Sequence, residues 1–303
     1  MDPSMITKVR RFNRTVTQRA GALSDEFLAR DRPLSQARVL WEIGPDGRDV
    51  RDLRARLDLD SGYLSRLLRA LEGAGLVEVA PSPADGRVRA ARLTPAGRAE
   101  RDELDRRSDE AAAELLGPLS AGQRTRLLAA MADVERLLLA SAVRVGTCDP
   151  RDPDARFCVA AYFTELAGRF AGGFDPAQSI SAGDDELTPP AGLLLVARLQ
   201  GQPVGCAALK FRDRQPAEVK RMWVAPEARG LGLGRRLLEE VEARAAALGV
   251  TILRLETNRT LTEAIALYRT AGYREVQAFS SEPYAHHWFE KTLDRRPTPS
   301  PAG

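Results

Sequence analysis

A chain of 303 residues is long enough for two domains, each with a core of its own, and too long for one small module. With 44% hydrophobic and 29% charged residues it has an ordinary globular composition, which excludes a fibrous or wholly disordered protein. The net charge is only +3, with the basic excess before residue 145 and nearly all of it arginine, so charge alone does not make the chain a nucleic-acid binder. No apolar run approaches the roughly 18 residues that a membrane span needs, and the basic N-terminus has no apolar stretch behind it. No membrane partner is expected, and the protein is expected in the cytoplasm.

In chain order, residues 7–29 read as helix, followed by three short helices over Leu34–Ile43, Val50–Leu57 and Ser61–Gly73, with Ser61 available as the N-cap of the third. In that third helix Leu64, Leu67, Leu68 and Leu71 recur at helical spacing and define an inward face. Gly62, Arg66 and Arg69 fall opposite them, with Tyr63 and Ser65 on the flanks. Residues 76–79 and Arg89–Leu93 then alternate as two strands joined by a hairpin through Pro83, Asp85, Gly86 and Arg87. A helix-turn-helix followed by such a hairpin is a winged helix. Residues 97–140 return to a long helical pattern whose stripe of Leu127, Leu128, Met131, Val134, Leu137 and Leu138 suits a dimer contact.

This stretch resembles the MarR family of transcription regulators. The likeness rests on Leu34-Ser35, on the run from Ser61 to Arg66, on Leu71-Glu72-Gly73-Ala74-Gly75-Leu76-Val77, on Asp85-Gly86-Arg87 and on Leu93-Thr94-Pro95-Ala96-Gly97. It implies a homodimer on a pseudo-palindromic double-stranded DNA operator, with the third helix in the major groove and the wing arginine in a neighbouring minor groove. Candidate DNA contacts are Ser61, Tyr63, Ser65, Arg66, Arg69, Arg87 and Arg89, with Asp85 steadying the wing tip.

After Pro150 and Pro153 the pattern changes. Strands are expected over Gly192–Leu199, 203–211, Ala217–Val224, 251–256 and 287–293, and helices over 156–170, 232–248 and 261–271; the second of these helices is expected to bury Leu237, Leu238, Val241, Ala245 and Leu248. Alternating strands and helices predict an α/β layer on a mixed sheet. Cys148, Cys158 and Cys206 have no paired spacing and His286 and His287 are the only imidazoles, so neither a disulfide framework nor a metal site is expected. Three closely spaced glycines, Gly230, Gly232 and Gly234, open the middle helix, where backbone N–H groups and the helix dipole can hold a pyrophosphate. They follow the third strand, whereas a dinucleotide fold would place them after its first.

In that position Arg229-Gly230-Leu231-Gly232-Leu233-Gly234 resembles the central motif of the GNAT family of acetyl-CoA-dependent N-acetyltransferases. The run from Val219 to Val224, the run from Leu253 to Asn258, and Tyr268 with Ala271-Gly272-Tyr273 extend the likeness. It implies acetyl-CoA as acetyl donor, its pyrophosphate on the amides of Leu231, Gly232, Leu233, Gly234 and Arg235, its pantetheine along Met222, Trp223 and Val224, and Asn258 facing the cofactor arm. An amine would attack the thioester directly, with the oxyanion held by a backbone N–H near Val224. Tyr268 matches the family's usual general acid, oriented by a capping box of Thr260 and Glu263. Glu218 is the candidate general base, with Glu256 as competitor. Phe163, Glu165, Arg169 and Phe170 on one side and Tyr284, His286 and His287 on the other are candidates for the acceptor cleft.

The expected organisation is a mainly α winged helix over residues 1–142, a mixed-sheet acyltransferase over 143–293 and a disordered Pro-rich tail over 294–303. The leading function is a bifunctional regulator and N-acetyltransferase acting on a small-molecule amine. A non-catalytic acetyl-CoA sensor and a protein lysine acetyltransferase are the alternatives.

Overall fold

The computed structural model describes residues 2–19, 27–82, 86–180, 182–211 and 216–293. The expected wing turn at Pro83 to Asp85 and the tail over 294–303 lie outside the described residues, as does part of the helix expected over 7–29. The chain forms two compact units, Met1–Ala130 and Met131–Gly303.

The first unit begins with helix α1 (Pro3–Arg19) and continues through α2 (Leu34–Ile43), a short strand β1 (Arg48–Asp49), α3 (Val50–Leu57) and α4 (Ser61–Gly73). Strands β2 (Val77–Pro81) and β3 (Arg89–Leu93) pair antiparallel from Val77 with Leu93 to Pro81 with Arg89, and β1 adds to the far side of β3. Helix α5 (Pro95–Leu116) follows. The core consists of Val39, Leu40 and Ile43 from α2, Leu53 from α3, the four leucines of α4, Val77, Leu93 and Leu104, as the 3.6-residue period of α4 requires. Asp60, not Ser61, caps α4: its side chain accepts from the Tyr63 amide at 2.8 Å. The Leu93 to Gly97 run has a physical reason as well. Thr94 caps α5 by accepting from the Gly97 amide at 3.0 Å while donating to the Gly75 carbonyl at 2.7 Å, and a Cβ on Gly97 would lie 1.9 Å from the Leu76 carbonyl oxygen.

The helical pattern expected over 97–140 is two helices, because Gly117 and Pro118 interrupt it before α6 (Ala121–Ala142). The division between the compact units falls inside α6. In the second unit, strands β4 (Arg144–Cys148), β5 (Gly192–Leu199), β6 (Gln202–Phe211), β7 (Ala217–Val224), β8 (Ile252–Thr257), β9 (Arg274–Val276) and β10 (His287–Thr292) form one sheet in the order β4-β5-β6-β7-β8-β10-β9. Helices α7 (Pro153–Arg169), α8 (Leu233–Ala247) and α9 (Thr262–Thr270) complete it. At Gly205 of β6 an added Cβ would sit 3.2 Å from Leu237 of α8, while the next residue, Cys206, meets Cys158 of α7, so the two helices cover opposite faces of the sheet. Leu237, Leu238, Val241 and Ala245 are buried; Leu248, expected with them, is 59% exposed because it is already the C-cap of α8.

Candidate active site

Strands β7 and β8 are parallel neighbours paired at only two positions, Ala217 with Leu253 and Glu218 with Arg254. A bulge in β7 lies just beyond them. Its register against β6 shifts between Cys206 and Ala208, and Arg221 has the left-handed φ of 52°, its carbonyl accepting from the Cys206 thiol at 3.1 Å. The bulge breaks the two-residue alternation of the strand. Val219, Lys220, Arg221 and Met222 all line one cavity, and the Arg221 side chain reaches Phe163 and the Ala182 carbonyl on its wall.

Past the bulge, Met222, Trp223 and Val224 border a larger cavity of about 590 Å³. Its rim is the loop of Arg229, Gly230 and Gly232 with Leu233, Gly234 and Arg235 in the first turn of α8. Gly230 and Gly232 have φ of 79° and 72°, which favours glycine, and the space a Cβ would occupy at either is open. No side chain caps α8 at Gly232, so its first-turn amides are positioned for an anionic ligand. The opposite wall is one face of α7, where Tyr162, Glu165, Leu166 and Arg169 follow i, i+3, i+4 and i+7 spacing.

Glu165 ties these parts together. One carboxylate oxygen accepts from Trp223 Nε1 at 2.9 Å and Arg229 Nη2 at 2.5 Å, the other from Arg169 Nη1 at 3.2 Å. Arg229 Nε also donates to the Val224 carbonyl at 3.1 Å, so this arginine anchors the glycine loop to the end of β7.

The smaller cavity, about 100 Å³, shares Tyr162, Leu166, Met222, Leu261, Ala264 and Tyr268 with the larger one, and the two meet there. Its far side is aromatic: Phe174 packs 5.5 Å from Phe163, 5.8 Å from Phe170 and 4.9 Å from Tyr284 between ring centroids. Lys220 bridges Glu256 and Glu218, the latter at 3.1 Å. Glu256 also accepts from the Ser280 hydroxyl, which accepts in turn from Trp288 Nε1 at 3.0 Å. Burial holds the Tyr268 phenol above its ordinary pKa of 10.0, so it is a neutral donor.

In the first unit, Ser61, Ser65, Arg66 and Arg69 are exposed on α4 opposite its buried leucines, and the Arg66 guanidinium lies 5.6 Å from the centroid of the half-buried Tyr63. Arg87 and Arg89 are exposed in the wing, Arg89 donating to the Val79 carbonyl at 3.4 Å.

Residues 152–273 match the family model described as the acetyltransferase (GNAT) family, and residues 31–88 match that of the MarR family. Over 122 residues the chain is 42% identical to the IAA acetyltransferase of Azospirillum brasilense, a match covering 40% of this chain and 78% of that protein. The chain belongs to the GNAT acetyltransferase family. Its N-terminal part is a MarR-family winged helix. The N-alpha-acetyltransferase RimI of Mycobacterium tuberculosis is 35% identical over 126 residues, covering 41% of this chain and 74% of that protein. The crystal structure of wild-type MarR from E. coli aligns with 25% identity and a TM-score of 0.37 over 41% of this chain and 94% of that one.

Within this MarR–GNAT chain the predicted site residues fall in different places. Met222, Trp223, Val224, Arg229, Gly230, Gly232, Leu233, Gly234 and Arg235 border the larger cavity, while Leu231 packs against the core. Asn258 lines the smaller one, its Nδ2 donating to the Tyr284 carbonyl at 2.8 Å and its Oδ1 accepting from the amide and hydroxyl of Thr260. Thr260 and Glu263 therefore do not form the expected capping box; Arg169 takes Glu263 at 2.8 Å and lowers its pKa. Glu165 and Arg169 border the larger cavity and not the smaller one, and His286 and His287 border neither. Glu256 reaches the wall of the smaller cavity, whereas Glu218 stands behind Lys220. Tyr162, Lys220 and Arg221 were missed as site residues. The helical spacing from Tyr162 to Arg169 carried the signal for the first; nothing local signalled the bulge that turns Arg221.

Tyr268 and Tyr273 are both buried, and burial raises both phenols above 10.0. Their folded pKa values exceed the unfolded ones, so the associated stability is complete below pH 10 and lost as pH rises beyond it. Urea unfolding is expected to show stability falling above pH 10 by up to about 1.4 kcal/mol per pH unit for each phenol. A flat profile from pH 9 to 11 would contradict their burial.

Proposed function

We propose that the chain is a DNA-binding transcription regulator joined to an acetyl-CoA-dependent N-acetyltransferase for a small amine. The observation that carries the enzymatic reading is Tyr268, a buried neutral phenol at the junction of a large cavity rimmed by a glycine loop and a small aromatic one. The open space at Gly230 and Gly232 and the uncapped start of α8 fit a pyrophosphate, and the β7 edge beyond the last β8 pair fits an extended pantetheine arm. When bound, acetyl-CoA supplies an activated acetyl thioester. The amides of residues 231 to 235 bind its phosphates, and the backbone of Met222 to Val224 orients the arm, with an N–H near Val224 placed to take the charge developing on the carbonyl oxygen. Tyr268 donates toward the departing sulfur. Glu256, on the cavity wall, is better placed than Glu218 to accept the acceptor's proton; Glu218 serves as second counter-charge to Lys220.

For the N-terminal unit, the exposed face of α4 and the wing arginines are the proposed DNA contacts. Met5, Val9, Phe12 and Val16 on α1 and Leu128, Met131, Leu137 and Leu138 on α6 are exposed large apolar residues, which supports a second copy of the chain as their cover. Helix α6 ends at Ala142 and β4 starts at Arg144, which supports a functional boundary near residue 142.

Free-thiol release from acetyl-CoA across small amines, polyamines and lysine peptides tests the enzymatic reading. Turnover is expected with a small amine. Tight acetyl-CoA binding without turnover of any acceptor would replace the enzyme by a sensor.

A further inference from the structure

The acceptor cavity has a composition that generic amine acetylation does not require. The β7 bulge holds Arg221 at a left-handed φ and turns its side chain onto the cavity wall beside Met222, one of the residues where the two cavities meet. Its guanidinium lies 5.4 Å from the centroid of Phe163 and donates to the Ala182 carbonyl. A planar guanidinium on a cavity wall is the side chain best suited to a carboxylate, which it can hold through two parallel hydrogen bonds. On the wall of the same cavity, beginning at the Phe163 ring that Arg221 approaches, Phe163, Phe170, Phe174 and Tyr284 form a continuous ring cluster with centroid separations of 4.9 to 5.8 Å, a surface that suits a flat apolar group.

We propose that the acceptor is the free amino group of an aromatic α-amino acid, its carboxylate held by Arg221 and its ring by Phe163, Phe170, Phe174 and Tyr284. The inference rests on the acetyl-transfer reading above. The amine has to reach the junction at Met222 and Tyr268, and Arg221 lines the same small cavity as those two residues, so the carboxylate belongs close to the amine, as in an α-amino acid. In the reaction the amine nitrogen forms a bond to the acetyl carbonyl carbon and the carbon–sulfur bond breaks. The nitrogen loses one proton and the sulfur gains one; an acceptor arriving as ammonium releases one further proton to solvent. The products are an N-acetyl amino acid and free CoA.

The test uses the full chain and two readouts, thiol release and calorimetric titration with L-phenylalanine. L-Phenylalanine is expected to exceed both phenethylamine, which lacks the carboxylate, and L-alanine, which lacks the ring, by about 30-fold or more in kcat/KM. Arg221→Gln should bring the phenylalanine to phenethylamine ratio close to 1, and Arg221→Lys, which keeps the charge but not the fork, should leave it in between. Acetyl-CoA titration checks that each variant is folded. Should Arg221→Gln fail that check, Phe174→Leu, expected to reduce the preference for phenylalanine over alanine, decides together with Arg221→Lys. Equal rates with phenethylamine, or a preference for lysine peptides, overturn the proposal. Binding of L-phenylalanine that depends on Arg221 but yields no thiol sustains the pocket assignment and removes the enzymatic reading. Turnover of another amine without L-phenylalanine binding removes the pocket assignment and leaves the enzyme.

Discussion

Tyr268→Phe is expected to lower kcat for acetyl transfer by about 10²-fold while acetyl-CoA affinity stays within about threefold, as measured by thiol release and calorimetry. Phenylalanine keeps the ring packing of Tyr268 against Tyr273 at 6.0 Å and Phe289 at 5.9 Å, so the substitution removes little besides the hydroxyl. The size of the effect follows from two opposed consequences of burial. Burial keeps the phenol protonated through the neutral range and past pH 10, so a donor is always present. The same shift makes it a reluctant acid toward a thiolate, whose pKa is near that of a free thiol at about 8.5. Its contribution is therefore a hydrogen bond shared with the departing sulfur more than a completed proton transfer, which puts the loss at the low end of the roughly 10²–10⁴-fold range of general acid catalysis. The wild-type rate should also show no alkaline limb below pH 10. Equal turnover by the variant would take Tyr268 out of the donor role and leave the half-buried Tyr162, which lines both cavities, as the phenol to replace next.

How far the chain could be read without its structure depends on whether a feature is local. Helix α4 was legible in its bounds, though not in its cap, because its four leucines repeat at the helical period and bury together. The glycine loop was legible because a positive φ at Gly230 and Gly232 leaves glycine as the favoured residue. The Arg221 bulge was not, because the run from Val219 to Trp223 reads as an unbroken strand and the irregularity depends on how β6 pairs across Cys206 and Ala208. That one hidden feature decides which β7 residues line the smaller cavity. The capping box failed for a related reason: Thr260 and Glu263 have the right spacing, but Asn258 and Arg169, from a neighbouring loop and a distant helix, compete for them. Glu165 is the same case in reverse. Its helical position was plain, and its three donors, two of them from β7 and the glycine loop, became visible only once α7 was seen beside the larger cavity.

The Arg66→Ala, Arg69→Ala double variant is expected to lower affinity for a duplex taken from the region upstream of the protein's own coding sequence by at least about 30-fold at fixed salt. Each guanidinium contact to a base edge is worth roughly 1–3 kcal/mol of discrimination, so two independent contacts give about 30-fold to 10⁴-fold in affinity. Both arginines are exposed and lie opposite the buried leucines of α4, so neither change opens the core. What Arg66 loses inside the protein is its approach to the Tyr63 ring at 5.6 Å, worth about 0.5–1 kcal/mol at an exposed site. Fluorescence anisotropy over a salt series separates two kinds of contact. An arginine on phosphate weakens all sequences alike and reduces the salt slope by about one, whereas an arginine on guanine flattens the preference at one base position. Light scattering on the same samples should return a dimer mass for wild type and variant, because the exposed apolar residues proposed for the dimer contact belong to helices other than α4. Unchanged affinity with an intact dimer would move DNA recognition off α4 and onto the wing, where Arg87 and Arg89 are the residues to substitute.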